Sequence, residues 1–511
     1  MEQDSVYITT PIYYVNDIPH IGHCYTTIIA DILARFYRLR GRDVFFLTGT
    51  DEHGQKIEKA AEAKGVTPKE LVDSVVLRFQ ELWEKLNISN DHFIRTTDSE
   101  HQEIVKDVLK QVYKNGYIYL GSYEGLYCRP CEAYFTETQL AEGKCPDCGR
   151  EVITLQEEAY FFKLSAFGQR ILEHIKNVPD FVLPESRKNE VISFVESGLN
   201  DLCISRTTIN WGIEFPQLEA TEKKHYVYVW FDALLNYLTG IKYQKDDAFF
   251  QRYWPAHVHL IGKDILKFHA VIWPAMLMAM DVEVPKHVFG HGFIYQGGEK
   301  MSKSKGNVLD PFVIMNEYGV DPFRYYLARE MVFGLDGSYS EETMKQRFNS
   351  DLANDYGNLL NRTLNMMQKY FDLKVPEAKD DLLSEAELSL KKATLKLEQS
   401  IPVFIDAFKL SVALEEIFTV IRKANKFIEE TAPWKLQKEG NMDKLATVMV
   451  HLIETIRIVT AWLSPFMPIV TNSFYSQLNI NEAEKKQAPF VWGFFVEGRM
   501  LNKPEPVFPR K

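Results

Sequence analysis

Two short segments of this chain contain residue types that could bind phosphate. His20-Ile21-Gly22-His23 places two imidazoles and a glycine at the start of a predicted helix. Free N–H groups and the positive end of the helix dipole favour an anion there, and Gly22 lets a purine approach closely. Lys300-Met301-Ser302-Lys303-Ser304 is a serine-rich segment whose two lysines could close over the same phosphates. Taken singly, the histidines could be a metal pair or surface residues, and the lysine segment a solvated basic turn.

Four cysteines have the spacing of a structural zinc site. Cys128 pairs with Cys131 and Cys145 with Cys148 as two Cys-x-x-Cys motifs, with thirteen residues between the pairs. Four thiolates satisfy tetrahedral Zn²⁺ and leave no open position for a substrate, so the spacing predicts one structural Zn²⁺ per chain. Reduced thiols without a metal, or a redox pair, are the alternatives, and neither explains the doubled motif.

The elements that carry the two histidines follow a strand, helix, strand pattern. A strand is predicted at Val6 to Thr10, a loop through Pro11 and Pro19, and a second strand at Val44 to Leu47. The helix between them is predicted from apolar residues at helical spacing, which are Tyr25, Ile28, Ile29, Ile32, Leu33, Phe36 and Leu39. This pattern favours a doubly wound parallel sheet with its ligand crevice at the carboxyl ends of the strands, where both histidines lie.

The pattern changes twice further along the chain. It is irregular from Gly116 to His225, as expected of an insertion between two halves of a sheet. Strand-like runs return at Tyr226 to Trp230 and His257 to Ile261, and a helix is predicted at Asp321 to Met331. Long amphipathic patterns then predict a helix bundle, followed by a tail rich in aromatic residues and prolines.

The predicted fold class is therefore α/β. It comprises a doubly wound, Rossmann-like parallel-sheet catalytic domain with a zinc-knuckle insertion, followed by an α-helical bundle domain. The predicted boundaries are 1–115 for the first half of the nucleotide-binding catalytic domain, 116–225 for the insertion with the zinc knuckle, 226–280 for the second half, 281–340 for the lysine-loop linking region, 341–487 for the helical domain and 488–511 for a tail that packs back on other domains.

Composition limits the class of protein. The chain has 511 residues, of which 46% are hydrophobic, so we expect several domains rather than one core. A net charge of −11 argues against a protein that coats nucleic acid nonspecifically, although it allows a local basic path. The richest apolar run, Ala270 to Met280, contains Pro274, so no membrane span is expected. The acidic start, Met1 to Ser5, resembles neither a secretory signal nor a transit peptide, which predicts a cytoplasmic protein.

The histidine and lysine segments together resemble the two signatures of class I aminoacyl-tRNA synthetases, and neighbouring motifs narrow the resemblance to the methionyl-tRNA synthetase family. The resemblance implies ATP-dependent ligation of methionine to tRNA(Met) through methionyl-adenylate, with release of pyrophosphate and AMP, in protein synthesis. Mg²⁺ is expected with the ATP. In that family, charge developing on ATP is stabilised by residues corresponding to His20, His23 and Lys303, with Lys300 assisting.

Further ATP contacts are expected from the end of a strand. Asp264 follows the strand that ends near Gly262, and an acidic residue in that place meets a ribose hydroxyl in other nucleotide folds. The predicted ATP-binding residues are thus Gly22, Gly262, Asp264 and Lys303. Asp264 could also cap the helix that follows.

The resemblance also implies a methionine pocket. Its predicted residues are Ile12, Tyr14, Asp51, Trp230, Leu234, Tyr237 and His269. Asp51 suits the substrate ammonium, and aromatic rings make favourable contacts with a thioether sulfur. Taken from the sequence alone, each aromatic residue could instead belong to the core. Synthetases for leucine, isoleucine and valine generally carry a large editing insertion, whereas the insertion here is short and holds the cysteine pairs, which disfavours those substrates.

A polar stripe in the helical domain is the predicted anticodon-binding site. Asn354, Asn358 and Arg362 are spaced by four, which places them on one face of a helix. Such a face is usually only solvated, but amides and a guanidinium also suit the edges of unstacked bases. The resemblance implies that these residues read the anticodon and that Trp434 stacks on a base.

Two other functions remain open at this point. One is a nucleotidyltransferase with the same His-x-Gly-His motif, and the other is a non-catalytic paralogue that binds tRNA. The intact histidine and lysine segments argue against the second, since a binding module has no need of a phosphate clamp. A monomer is expected, because the sequence ends without the appended tRNA-binding module that makes some family members dimers.

Overall fold

A computed structural model describes residues 5–15, 19–128, 133–135, 140, 143–145, 149–221, 223–296, 299–300, 309–487, 489–509 and 511; the side chains of 123–125, 127–128, 133–135, 155–157 and 299–300 are not described. The chain forms two compact units. The first unit comprises Met1–Pro19, Asp43–Leu82 and Asn90–Gly290. The second unit comprises His20–Arg42, Trp83–Ser89 and His291–Lys511.

Most strands belong to the first unit. They are β1 (Ser5–Tyr14), β2 (Asp43–Asp51), β3 (His92–Arg95), β4 (Ile118–Cys128), β5 (Ala133–Phe135), β6 (Ile153–Phe162), β7 (Val182–Leu183), β8 (Leu202–Cys203), β9 (Ser205–Arg206), β10 (Tyr226–Val227), β11 (Val258–Gly262) and β12 (His287–His291). The second unit contains β13 (Ile294–Gln296), β14 (Glu299–Lys300) and β15 (Gly337–Tyr339).

The helices are longer and more numerous toward the end of the chain. They begin with α1 (Ile21–Leu39), α2 (Gln55–Lys64), α3 (Pro68–Lys85), α4 (Ser99–Lys114), α5 (Gly168–Asn177), α6 (Glu185–Glu196), α7 (Val229–Leu234), α8 (Asn236–Thr239), α9 (Asp247–Tyr253) and α10 (Trp273–Ala279). They continue with α11 (Pro311–Tyr318), α12 (Val320–Glu330), α13 (Glu341–Arg347), α14 (Asn358–Phe371), α15 (Glu385–Asp406), α16 (Leu410–Thr431), α17 (Pro433–Lys438), α18 (Met442–Leu463), α19 (Pro468–Gln477) and α20 (Glu482–Gln487). Two π-helices, Phe268–Ile272 and Phe348–Gly357, and 3₁₀ turns at Leu164–Phe167, Lys263–Ile265 and Asp380–Leu382 complete the set.

A six-stranded sheet in the order β3-β2-β1-β11-β12-β7 is the core of the first unit. The pairs β1–β2, β1–β11 and β2–β3 are parallel, as the sequence predicted. Strand β1 does not end at Pro11 as expected but continues to Tyr14. The register with β2 shifts between Thr9 and Ile12, so the strand passes the proline, which has no N–H to donate, at an irregularity of the ladder.

Two strand predictions near the insertion need correction. Tyr226–Val227 pairs antiparallel with β9 instead of joining the main sheet, and the predicted strand gives way to helix α7 at Val229. Conversely, Val182–Leu183 lies inside the predicted insertion yet pairs with β12 as an edge of the main sheet. The alternating apolar residues at Tyr226–Trp230 fit a strand equally well, because a six-residue helix carries too short a pattern to be distinguished. The predicted domain boundaries stay predictions.

Helix α1 packs in the second unit, and a buried ion pair fixes it there. Arg324 of α12 donates from Nη2 to Asp31 Oδ2 at 2.7 Å, and both side chains are fully buried. Arg324 also donates to the carbonyls of Leu86, Pro465 and Phe466 at 3.1–3.2 Å. Burial opposes the charge of Asp31, but Arg324 and Arg35 hold its pKa below the usual range. One guanidinium therefore joins four segments of the chain.

Helices α11 to α20 make up most of the rest of the second unit, in agreement with the predicted bundle. Helix α18 is long and apolar enough to cross a membrane, but 94% of its apolar window is buried inside the protein, as in a core helix. The tail packs against this helix: Phe490 stacks on Trp462 at 3.8 Å, and the Phe495 N–H donates to Glu454 Oε1 at 2.7 Å. The expectation of a tail folded back on the protein fits these contacts.

Candidate functional site

The carboxyl ends of β1 and β2 bring three predicted residues together. Tyr14 and Asp51 are register partners on adjacent parallel strands, and Ile12 is paired with Gly49 two residues earlier. Ile12 and Tyr14 are two residues apart, so they point to the same face of the sheet. This is the edge at which parallel α/β sheets bind their ligands.

Asp51 is an acid at this edge with one unsatisfied carboxylate oxygen. Its Oδ1 is removed from solvent, and no hydrogen-bond partner lies within reach among the residues that the structure describes. Burial raises the pKa of Asp51 well above its usual range, and the nearby charge of Asp232 raises it further. A buried carboxylate with an unsatisfied oxygen is stabilised when a ligand brings a positive charge next to it.

Tyr14 is held beside Asp51 by a backbone contact. Its hydroxyl donates to the carbonyl oxygen of His53 at 3.0 Å. Burial and the charge of Asp51 raise the pKa of Tyr14, so the phenol stays protonated at neutral pH. The ring is therefore fixed as a neutral wall next to the acid.

An apolar wall is formed by α7, α8 and the π-helix Phe268–Ile272. Leu234 and Tyr237 are buried, and the ring of Trp230 stacks on Phe268 with centroids 3.8 Å apart. Trp230 also meets the edge of His269 at 6.3 Å. The predicted pocket residues of these elements thus lie close to one another in the first unit.

Hydrogen bonds fix the tautomer of His269. Its Nδ1–H donates to the Ile265 carbonyl at 3.0 Å, so Nε2 accepts from the Tyr237 hydroxyl at 2.7 Å. Burial lowers the pKa of His269 to about 4. The pair Tyr237–His269 is consequently neutral at physiological pH.

Sequence reasoning missed His259, which supports Tyr237 from the other side. The two rings stack at 4.1 Å. Trp273 donates to His259 Nε2 at 3.2 Å, so Nδ1–H donates to Thr9 Oγ1 at 2.7 Å. A histidine in a predicted strand was the available signal, but an isolated histidine there is more commonly a core residue.

Asp232 was also missed. It lies in α7 between two predicted pocket residues, is 1% exposed, and contacts His53 and His101, each at 2.7 Å. The signal was present in the sequence as a single acid within the apolar run Val229–Leu235. Buried acids require partners, but the partners are far apart in the sequence.

Gly262 and Asp264 lie together at the end of β11. A Cβ on Gly262 would come within 2.6 Å of Asp264 Oδ1, so the glycine leaves room for the exposed carboxylate. Asp264 does not cap the turn Lys263–Ile265, because the N-cap position is Gly262 and no side-chain cap is present. The alternative interpretation of Asp264 as an N-cap was therefore wrong.

The two histidines of the first signature form a capping box at the start of α1. The Gly22 N–H donates to His20 Nδ1 at 3.1 Å, and the His20 N–H donates to His23 Nδ1 at 3.2 Å. Both Nδ1 atoms accept, so in the neutral rings both protons are on Nε2. The rings stack at 3.9 Å. A Cβ on Gly22 would lie 2.9 Å from the His20 ring, so the glycine is needed for this cap.

Burial lowers the pKa of both histidines, and for His23 the neighbouring His20 adds to the effect. At neutral pH the two rings are therefore neutral N–H donors at a helix N-terminus. Such a terminus favours anions.

The lysine segment lies mostly outside the described residues. Lys300 is the last residue of β14, and its backbone is paired with that of Tyr295 in β13. The position of Lys303 is not described, so its predicted meeting with the histidines stays a prediction.

The proposed anticodon residues lie in the second unit, but their spacing was misread. Asn354 is in the π-helix Phe348–Gly357, while Asn358 and Arg362 are in α14. A π-helix has more residues per turn, so a spacing of four does not keep one straight face across this junction. Both asparagines are exposed. Arg362 donates to Glu429 Oε1 of α16 at 2.6 Å.

Trp434 lies just beyond the end of α16. Ala432 ends that helix in a left-handed conformation with φ of 42°, and Pro433 begins α17. The Trp434 side chain is 42% exposed. An exposed indole in a well-packed bundle is free to contact a partner.

Two of the four cysteines have a described backbone. Cys128 ends β4 next to Tyr127, which is paired with Ile153, and Cys145 follows Lys144, which bridges to Glu151. The same short segment, 151–153, therefore lies beside both cysteines. Cys145 is buried, and its carbonyl accepts from the Gly149 N–H at 2.8 Å. Cys131 and Cys148 lie outside the described residues.

Comparison with known proteins identifies the class. The sequence model of the family described as "tRNA synthetases class I (M)" matches residues 6–155 and 148–364. Together with the parallel sheet and the helical region that follows it, this match defines a class I aminoacyl-tRNA synthetase.

Individual relatives narrow the class to one family. The chain is 50% identical over 508 residues to the methionine–tRNA ligase of Caldanaerobacter subterraneus subsp. tengcongensis, covering 99% of this chain and 79% of that protein. It is 49% identical over 509 residues to the Clostridium perfringens ligase of that name, covering 99% and 78%. The structure of Mycobacterium tuberculosis methionyl-tRNA synthetase in complex with methionyl-adenylate matches with a TM-score of 0.92, 42% identity, and coverage of 99% and 100%. The chain belongs to the methionyl-tRNA synthetase family, and these likenesses favour neither the nucleotidyltransferase nor the silent paralogue.

Proposed function

We propose that this chain activates methionine with ATP and transfers it to tRNA(Met). The observation that carries the proposal is the Asp51 carboxylate at the sheet edge, whose buried Oδ1 has no hydrogen-bond partner among the described residues, next to a neutral aromatic pocket. Free methionine carries an ammonium and an uncharged thioether, which match these two parts. The membership in the methionyl-tRNA synthetase family supports the same reaction.

Two displacements make up the reaction. A methionine carboxylate oxygen attacks the α-phosphorus of ATP, the bond to the bridging oxygen breaks, and pyrophosphate leaves with its negative charge. A ribose hydroxyl of tRNA then attacks the acyl carbon of methionyl-adenylate, gives up its proton, and displaces AMP. Both steps depend on stabilising charge on phosphate oxygens and need no protein nucleophile.

The pocket of the first unit would bind methionine. Asp51 would pair with the ammonium, and the thioether would lie among Ile12, Tyr14, Trp230, Leu234, Tyr237 and His269. The neutral Tyr237–His269 pair supports this role, because both of its protons are already donated within the protein and an uncharged thioether needs no ionic partner.

The phosphates would be bound from the second unit. The Nε2–H groups of His20 and His23, together with Lys303 and Lys300, would donate to the triphosphate, which Mg²⁺ accompanies as part of the substrate. Gly262 and Asp264 would meet the ribose, since the exposed Asp264 carboxylate at a strand end can accept from a hydroxyl.

The helical region 341–487 would recognise tRNA. Asn354, Asn358 and Arg362 would contact anticodon bases, and Trp434 would stack on one. Arg362 is paired with Glu429 in the absence of RNA, so base recognition would exchange that ion pair for a base edge.

The cysteine pairs fit a structural zinc site. Two backbone pairings support this proposal, because Tyr127, next to Cys128, pairs with Ile153 and Lys144, next to Cys145, pairs with Glu151. The Cys145 turn is closed by a glycine with φ of 70°. Bound Zn²⁺ would crosslink Cys128, Cys131, Cys145 and Cys148 and stabilise the insertion. Metal analysis of the purified protein should give one zinc per chain, with loss on Cys145→Ser.

ATP–pyrophosphate exchange tests the proposed function. Exchange should require methionine and should be absent with leucine, isoleucine or valine. Exchange with a different amino acid would correct the substrate, and no exchange with any amino acid would overturn the enzyme assignment. Charging of tRNA(Met) transcript under the same conditions tests the second step.

The remaining proposals concern the state of the protein in the cell. A monomer is proposed, which sedimentation velocity would test. A cytoplasmic location is proposed from the need for tRNA and ATP, and fractionation of cells would test it.

A further inference from the structure

Asp232 occupies a joint between four elements of the first unit. Its Oδ2 lies 2.7 Å from His53 Nδ1, and its Oδ1 lies 2.7 Å from His101 Nε2. Each carboxylate oxygen thus faces a different imidazole. The other nitrogen of His101, Nδ1, lies 2.8 Å from Thr239 Oγ1 in α8. The end of β2, the first turn of α4 and the helices α7 and α8 are joined through this one acid.

The joint connects the two ends of the proposed pocket. His53 follows Asp51 by two residues, and its carbonyl accepts from the Tyr14 hydroxyl, so His53 fixes the acidic end. Asp232 is in the same six-residue helix as Trp230 and Leu234, which belong to the apolar wall. A rigid link between His53 and Asp232 therefore sets the separation of the ammonium site from the wall.

Asp232 is charged within this link. Burial opposes the charge, but His53 and His101 hold the pKa of Asp232 below its usual range. Hydrogen bonds to a charged group are stronger and shorter than neutral ones, so the link is stiff. Asp232 is only 1% exposed, and burying an acid is costly unless partners stabilise its charge. A residue needed only for stability of the core could be apolar and would avoid that cost.

We infer that Asp232 is a positioning residue that, through His53, fixes the distance between Asp51 and the apolar wall and so sets the length of the side chain that the site accepts. The inference rests on the proposed binding of methionine at these residues. An apolar pocket discriminates only weakly between two side chains that differ by one methylene. A pocket wall that is free to move would discriminate between them even less.

The test measures ATP–pyrophosphate exchange with methionine, ethionine or norleucine as the amino acid substrate. Ethionine is one methylene longer, whereas norleucine has the length of methionine without its sulfur. Asp232→Asn should raise the KM for methionine about 10-fold with a smaller change in kcat, as expected for losing one charge-assisted hydrogen bond. The preference for methionine over ethionine should fall, and the preference over norleucine should stay, because sulfur contacts come from other residues.

A second pair of variants covers the case in which Asp232→Asn fails to fold. The amide nitrogen of Asn reaches the position of imidazole Nδ1, so His53→Asn keeps a donor to Asp232, whereas His53→Leu removes it. His53→Leu should lower the methionine-to-ethionine preference, and His53→Asn should restore it.

Glu454→Gln is the matched control. Glu454 is a fully buried acid of the second unit that pairs with Arg457 at 3.0 Å, so its loss should lower the melting temperature without changing the preference. An unchanged methionine-to-ethionine preference in both Asp232→Asn and His53→Leu would overturn the inference. Absence of methionine-dependent exchange in the unaltered protein would instead overturn the proposed function, so the two failures are distinguishable.

Discussion

Single side chains at the two candidate centres owe their charge state to burial and to fixed partners. Asp51 has no partner for its buried Oδ1 within the described residues, and its pKa is raised. His20 and His23 are held neutral because each Nδ1 accepts from the backbone. Protonating either ring on Nδ1 would break the helix cap. One centre is thus ready for a cation and the other presents two N–H donors to an anion.

Asp51→Asn should stabilise the free protein while abolishing methionine activation. The pKa of Asp51 is raised in the folded state, so its ionisation costs stability as pH rises above the unfolded value. Removing the unpaired buried charge should add about 1 kcal/mol to the free energy of unfolding at neutral pH. Denaturant unfolding without ligand measures the gain, and pyrophosphate exchange measures the loss.

A lower stability for Asp51→Asn at pH 7 would show that an unseen partner stabilises the charge. The pH series is the control: the gain should disappear as pH falls below the ordinary pKa of aspartate, because both forms are then neutral.

His20→Asn should separate capping from chemistry. Asparagine is a good N-cap, so stability should change by less than about 0.5 kcal/mol, whereas His20→Ala should cost about 1 kcal/mol. Both variants lose the Nε2–H donor, so adenylate formation should slow about 100-fold in each. Thermal unfolding and single-turnover kinetics check the two effects. A normal rate in His20→Asn would remove His20 from the phosphate site.

At the scale of elements, α1 is the critical helix. The capping histidines lie at its N-terminus, and its middle is fixed by Asp31 to Arg324 of α12. Near its C-terminus, Tyr37 donates to Asp406 Oδ1 of α15 at 2.9 Å. The helix that presents the phosphate donors is therefore fixed along its length by helices of the second unit.

Arg324→Met should destabilise the protein by about 3–5 kcal/mol, because Asp31 loses a buried partner and three carbonyls lose a donor. Arg35→Met is the control: Arg35 also pairs with Asp31, at 2.7 Å, but is 21% exposed and should cost less. Denaturant unfolding gives both values. Equal losses of stability in the two variants would mean that the deeper burial of Arg324 does not strengthen its pair with Asp31.

The same pair predicts a pH dependence. The pKa of Asp31 is lowered in the folded state, so its contribution is present above the unfolded pKa and is lost as pH falls below it. Asp31→Asn should therefore lose less stability on acidification than the unaltered protein. Acid titration followed by circular dichroism would measure the difference.

At the scale of the whole molecule, the proposed sites divide between the two units. The proposed methionine pocket lies in the first unit, and the histidine cap and the proposed anticodon residues lie in the second. Amino acid activation does not require tRNA contacts, so the two steps of the reaction can be measured separately on the intact chain.

Trp434→Ala should weaken tRNA charging and spare pyrophosphate exchange. Stacking on a base contributes about 1–3 kcal/mol, so kcat/KM for tRNA should fall about 10- to 100-fold. Leu388→Ala, at an exposed apolar residue of α15, is the control and should change neither activity. Equal losses of charging and exchange in Trp434→Ala would make Trp434 a folding residue.

Local pattern was enough for part of this molecule. The apolar spacing from Tyr25 to Leu39 predicted α1, because an amphipathic helix repeats over several turns within one segment. The two signatures and the cysteine spacing identified the family and the predicted ligands. The prediction of a strand at Tyr226 to Trp230 was wrong, since a short apolar run is compatible with either a strand or a helix. The π-helix at Phe348–Gly357 was missed because no local residue pattern distinguishes it from an α-helix.

The signature residues indicated the class of protein through their resemblance to a known family, and that resemblance implied the reaction and most of the candidate residues. The tertiary structure decided which of these residues are charged, which are paired and which unit holds them. Asp51 and Asp232 look alike in the sequence, yet Oδ1 of Asp51 has no hydrogen-bond partner among the described residues, whereas each oxygen of Asp232 faces an imidazole. The difference is physical: burial and hydrogen bonding depend on neighbours such as His101, which the chain brings to Asp232 from 131 residues away.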